Sequence, residues 1–121
     1  DNYSYLIFNI ATSSSIIIDP AEDEKIIQVL KKNKLKLEYI LITHHHNDHN
    51  SGVLGLLKEY PDAQIYSPSE LFSLTINKIT DGDKIKTSLS EFQVFSTPGH
   101  TLDHVVLCDT KNKLLFVSSI V

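Results

Sequence analysis

The sequence predicts a mixed α/β (α+β) domain, and three observations carry the prediction. Apolar, β-branched runs bracket one amphipathic helical segment in the first half of the chain. Short strand-like runs separated by turn signals fill the second half. Between them, a polar stretch dense in histidine follows directly on a continuous apolar run, which is where open α/β sheets carry their sites.

The elements follow in order. Tyr3 to Ile10 is aromatic and β-branched and reads as a strand, Thr12 to Ser15 as a turn, and Ile16 to Ile18 as a buried strand closed by Asp19-Pro20. Glu22 to Lys34 reads as a helix, with Ile26, Ile27, Leu30 and Lys31 forming one stripe. Its acidic start and basic end suit the helix dipole. The lysine run Lys31 to Lys36 reads as a solvated helix end. Tyr39 to Ile42 has the continuous apolar pattern of a strand buried on both faces. Val53 to Tyr60 is a short helix stopped by Pro61, Ala63 to Tyr66 a strand, and Pro68 to Leu74 a helical turn. Asp81-Gly82-Asp83 marks a turn. Phe92 to Ser96, Val105 to Cys108 and Leu114 to Val117 are three further strands, the last two joined by a polar loop, Asp109 to Lys113.

Composition narrows the function. The chain has 121 residues, 41% hydrophobic, with a formal charge of −4, which suits one small globular domain and argues against a nucleic-acid or anionic-membrane partner. All 11 basic residues are lysine, so no guanidinium fork is available to clamp a carboxylate or phosphate. No apolar run reaches the roughly 18 residues of a membrane span. The single cysteine, Cys108, excludes an internal disulfide and reads as a buried packing residue. It is compatible with a reducing compartment, and a cytoplasmic location is expected.

All six histidines fall in two stretches. The first is Thr43-His44-His45-His46-Asn47-Asp48-His49. If the chain leaves its strand extended, His44 and His46 project to one side, about 7 Å apart, while His45 points away. A curving loop then lets both imidazoles reach one metal. Asp48 and His49 follow where the chain turns, placed to offer an oxygen and a nitrogen to a second ion. Imidazole and carboxylate without thiolate suit Zn²⁺, and also Fe, Mn or Ni. The second stretch, Thr97-Pro98-Gly99-His100-Thr101, follows a strand, and its Pro-Gly turn presents His100 as a third nitrogen ligand for the first metal. His104 reads as a supporting histidine. Tyr3 and Tyr5 read as sheet packing, and Asp81 and Asp83 as turn residues.

Thr43-His44-x-His46-x-Asp48-His49 resembles the THxHxDH signature of the metallo-β-lactamase superfamily, and the flanks favour its glyoxalase II branch, the hydroxyacylglutathione hydrolases. Asp1-Asn2-Tyr3, Ile18-Asp19-Pro20-Ala21, Asn50-Ser51-Gly52 and Thr97-Pro98-Gly99-His100-Thr101 resemble segments of that branch. The resemblance implies an αββα sandwich, of which this chain holds roughly the first half and an incomplete second half. It implies a site for two metals in the intact family, with His44, His46 and His100 on one and Asp48 and His49 on the other. It implies hydrolysis of the thioester of S-lactoylglutathione, or a similar small acyl-thiol, by a hydroxide held between the metals. Asp48 is open to two roles, metal ligand and orienter of the nucleophile.

One departure stands out. Where the family has a bridging aspartate, Leu115-Phe116-Val117-Ser118-Ser119 places Ser119, which brings no charge between two dications. One bound zinc is therefore expected rather than two, with Fe or Mn as other occupants, and little hydrolysis by the isolated chain. Residues 1–121 read as one domain cut short at both ends, leaving a sheet face or edge for a dimer partner or complementing fragment to cover. The competing readings are another enzyme of the superfamily (lactonase, β-lactamase or iron persulfide dioxygenase) and a non-catalytic metal-binding remnant.

Overall fold

The computed structural model describes residues 4–43, 51–71, 74–96 and 105–116. Three layers result: two helices, a mixed sheet and an antiparallel sheet. The mixed sheet has the order β1 (Tyr5–Asn9), β2 (Ser14–Ile18), β3 (Lys36–Leu41), β4 (Gln64–Ser67) and β5 (Asn77–Lys78). β1 runs antiparallel to β2, and the remaining pairs are parallel. The second sheet has the order β6 (Lys84–Lys86), β7 (Glu91–Ser96), β8 (Val105–Asp109) and β9 (Leu114–Phe116), all antiparallel. Helices α1 (Glu24–Lys32) and α2 (Ser51–Glu59) are the crossovers that parallel pairing requires.

Alternation along the central strands supplies both cores. Ile17, Ile40 and Ile42 point toward the helices, meeting Ile26 and Leu30 of α1 and Val53 and Leu56 of α2. Ile16, Ile18 and Leu41 point the other way, onto Ile85, Phe92, Val94, Leu107 and Phe116 of the second sheet. A strand sandwiched between two cores has no polar face, which is why Ile16 to Ile18 of β2 and the end of β3 are continuously apolar. Each such fully buried Ile or Leu contributes roughly 1.5–3 kcal/mol. A bulge adjusts β3: Ser15 pairs with Leu37 but Ile16 with Tyr39, so Glu38 is the extra residue. Leu37 thereby joins the helix-side core and Tyr39 packs on the inter-sheet core.

Several boundaries depart from the sequence reading. The first turn ends at Ser13, which adopts φ 60°, so Ser14 and Ser15 are buried strand residues. Lys36 begins β3 rather than ending a helix. Lys31 is exposed and pairs with Glu59 of α2 at 3.2 Å instead of joining the apolar stripe. Among the described residues of 68–74 no helix is assigned, although the Leu74 amide donates to the Leu71 carbonyl at 3.0 Å, and the short strands β5 and β6 lacked a readable pattern. Cys108 is only half-buried, because the inward positions of β8 are Val105, Leu107 and Asp109. Tyr5, though 41% exposed, meets Phe116 edge-to-face at 5.2 Å and ties β1 to β9. Phe8, Ile10 and Leu114 are exposed near these same two sheet edges.

Asp109 is the largest correction. Rather than opening a solvated loop, it is fully buried. Its carboxylate accepts from the Ser90 hydroxyl, the Lys111 and Asn112 amides and the Asn112 side chain. Burial pulls its pKa up, but those donors outweigh burial and hold the carboxyl below its usual range. A depressed pKa contributes stability above the unfolded value of about 3.9, and that contribution is lost as pH falls through the lower folded value. Asp109→Ala is expected to cost about 2 kcal/mol in urea unfolding at pH 7. The gap between wild type and variant should be constant from pH 5 to 8 and narrow below about pH 4. An equal gap at all pH values would contradict the assignment.

Candidate metal site

The site is approached from the residues on either side of the histidine stretches. His44, His46, Asp48, His49 and His100, the five ligand positions expected from the sequence, lie outside the described residues, as do His45, His104 and Ser119. Among the described residues, no group of three or more His, Cys, Asp or Glu side chains is disposed to hold an ion. The structure does show how the flanks of the two stretches meet. The first four histidines follow directly after Thr43, at the C-terminal end of β3, and His104, the last of the six, directly precedes Val105, the first residue of β8. The Val105 amide donates to the Thr43 carbonyl at 2.7 Å. That bond joins the end of β3 in one sheet to the start of β8 in the other.

Thr43 is itself buried and held from behind by Asp19. Its amide donates to Asp19 Oδ1 at 2.8 Å and its hydroxyl to Asp19 Oδ2 at 2.5 Å. The Asp19 amide in turn donates to the Leu41 carbonyl at 2.9 Å. Asp19 takes φ 52°, the left-handed region that Asp and Asn tolerate best among residues other than glycine. Burial pushes its carboxyl up to about 6, against the opposing pull of the two Thr43 hydrogen bonds. The Ile42 amide donates to the Tyr66 carbonyl at 2.8 Å, so the strand stays paired up to the residue before Thr43.

On the sequence Asp19 closes a strand within a segment resembling the glyoxalase II branch and Thr43 opens the histidine motif, but nothing there joins the two residues. The available signal was an Asp-Pro pair after three consecutive isoleucines: a carboxylate leaving a fully buried strand must find donors nearby.

By donor chemistry the expected set fits a divalent metal, since neutral imidazoles and a carboxylate suit a borderline cation. Comparison with known proteins bears on this. Residues 1–120 match the metallo-beta-lactamase superfamily (Lactamase_B). The chain is 45% identical over 106 residues to the hydroxyacylglutathione hydrolase of Buchnera aphidicola, covering 87% of this chain and 42% of that protein. It is 43% identical over 117 residues to the hydroxyacylglutathione hydrolase of Francisella philomiragia, covering 95% and 45%. The chain thus spans less than half the length of these relatives. Among solved structures, ETHE1 from Myxococcus xanthus superimposes with a TM-score of 0.71 at 31% identity, covering 88% of this chain and 48% of that one.

Thr43→Val keeps the side chain's shape and removes the hydroxyl donated to Asp19. It is expected to cost about 1–2 kcal/mol in urea unfolding, whereas Thr43→Ser should stay within about 0.5 kcal/mol of wild type. A larger loss in Thr43→Ser than in Thr43→Val would show that the methyl group, not the hydroxyl, matters. With its layers, its sheet order and its match over nearly every residue, the chain belongs to the metallo-beta-lactamase superfamily, whose members bind divalent metal.

Proposed function

We propose that this chain carries the metal-binding portion of a thioester hydrolase of the glyoxalase II type. Its substrate class is a small acyl-thiol such as S-lactoylglutathione, split by water into free thiol and hydroxy acid. The observation that carries the reading is the 45% identity to a hydroxyacylglutathione hydrolase over most of the chain. The THxHxDH spacing from Thr43 to His49 supports it. Among the described residues no helix is long and apolar enough to cross a membrane. A cytoplasmic location fits the thiol substrate and the single cysteine.

In this reading His44, His46 and His100 hold one Zn²⁺, and Asp48 and His49 form part of a second position. A divalent metal held there would supply Lewis acidity, lowering the pKa of water and polarising a thioester carbonyl. Asp48 accepts a hydrogen bond from the attacking water and orients it. His49 adds a second neutral donor beside it. Ser119, standing where the resemblance places a bridging carboxylate, leaves the second position short of one negative charge.

Calorimetry at pH 7 is expected to show one tightly bound Zn²⁺ per chain. His46→Ala should weaken that binding by at least about tenfold. Ser119→Asp is expected to move metal content toward two per chain and to raise zinc-dependent hydrolysis of S-lactoylglutathione by at least about tenfold. Absence of zinc binding by wild type would defeat the metal reading. Two tightly held ions and brisk turnover in wild type would show that Ser119 does not stand in the bridging place.

A further inference from the structure

Segment 44–50, which holds four of the five expected ligands, starts after Thr43 and stops at Ser51, the first residue of α2. Both of its flanks rest on one loop, Asp19–Asp23. On the entry side the Asp19 carboxylate holds the Thr43 amide and hydroxyl. On the exit side the first turn of α2 lies against the backbone of Pro20 and Glu22. A Cβ added at Gly52 would sit 2.8 Å from the Pro20 carbonyl oxygen and 3.0 Å from the Glu22 nitrogen. One turn on, a Cβ at Gly55 would run into the Asp23 side chain. The two glycines differ in kind. Asp23 can rotate away from an added methyl at position 55, but backbone cannot rotate away at position 52.

The loop is pinned in its turn. The Ser4 hydroxyl donates to the Asp19 carbonyl at 2.8 Å and accepts from the Ala21 amide at 3.0 Å. The Asp19 amide is bonded to Leu41 of β3. Ser4, just ahead of β1, and strand β3 therefore both brace the platform on which the two flanks sit.

We infer that the 19–23 loop is a positioning element that fixes Thr43 and the first turn of α2, the two flanks of segment 44–50, so that Gly52 and Asp19 set metal affinity although neither is an expected ligand. The inference rests on the metal reading above. The reason is geometric and entropic. A metal site tolerates only a few tenths of an ångström in its donors, and any freedom left at either end of a seven-residue segment must be given up when the ion binds.

The test is zinc affinity by competition with a chromogenic chelator, together with the visible absorption of the Co²⁺-loaded chain. Gly52→Ala is expected to weaken zinc at least about tenfold and to alter the Co²⁺ bands. Gly55→Ala should change affinity by less than about threefold, because a side chain yields there. Asp19→Asn, which keeps an acceptor and tolerates the left-handed backbone, should retain affinity within a similar margin, whereas Asp19→Ala should lose it. Gly82→Ala controls for destabilisation alone. Gly82 adopts φ 88° with nothing within 4 Å of an added Cβ, and it lies in a different turn. It should lower the melting temperature and leave the affinity and Co²⁺ spectrum unchanged. Wild-type affinity in Gly52→Ala, or an equal loss in Gly82→Ala, would overturn the inference while leaving the metal reading standing. A wild type that binds no zinc would overturn both.

Discussion

The buried contact between the Asp19 carboxylate and Thr43 is the constraint on which the rest of the arrangement depends. It sits where β2 ends, where β3 ends and where the histidine stretch begins. A carboxylate that leaves water loses several kcal/mol of solvation unless it recovers donors. Here the donors come from the residue before the first expected ligand. The end of β2 and the end of β3 are thus coupled through one side chain.

The two-core architecture follows from the same region. Because β2 and β3 are buried on both faces, helices and second sheet must both be present before either strand is satisfied. The bond from Val105 to Thr43 then fastens the second sheet to the end of β3. The outcome is a scaffold whose two central strands point their C-terminal ends at one edge.

Legibility in the sequence tracked the strength of local pattern. Ile16 to Ile18 and Tyr39 to Ile42 announce buried strands because nothing else explains seven such residues. The turn at Asp81-Gly82 carries its own chemistry, with Gly82 in the left-handed region. Strands β5 and β6 were invisible because two or three residues cannot show a period. The bulge at Glu38 was equally invisible, since it is defined by the partner strand. At the site, motif spacing pointed to ligand types, but the supporting residues are tertiary. Asp19 and Gly52 act through groups 24 and 30 residues distant or more in the chain, beyond the reach of any local window, whereas Asp109 combines Ser90, 19 residues back, with its near neighbours Lys111 and Asn112. Gly52 in particular resembles an ordinary helix start until the Pro20 backbone is placed against it.

The central claim is that three histidines from two distant stretches converge on one metal at the edge marked by Thr43 and Val105. Anomalous diffraction from the zinc-loaded chain measures it most directly. A single strong peak is expected about 2.0–2.1 Å from a ring nitrogen of each of His44, His46 and His100. A peak bound by other residues, or zinc held by only one of the two histidine stretches, would contradict the account.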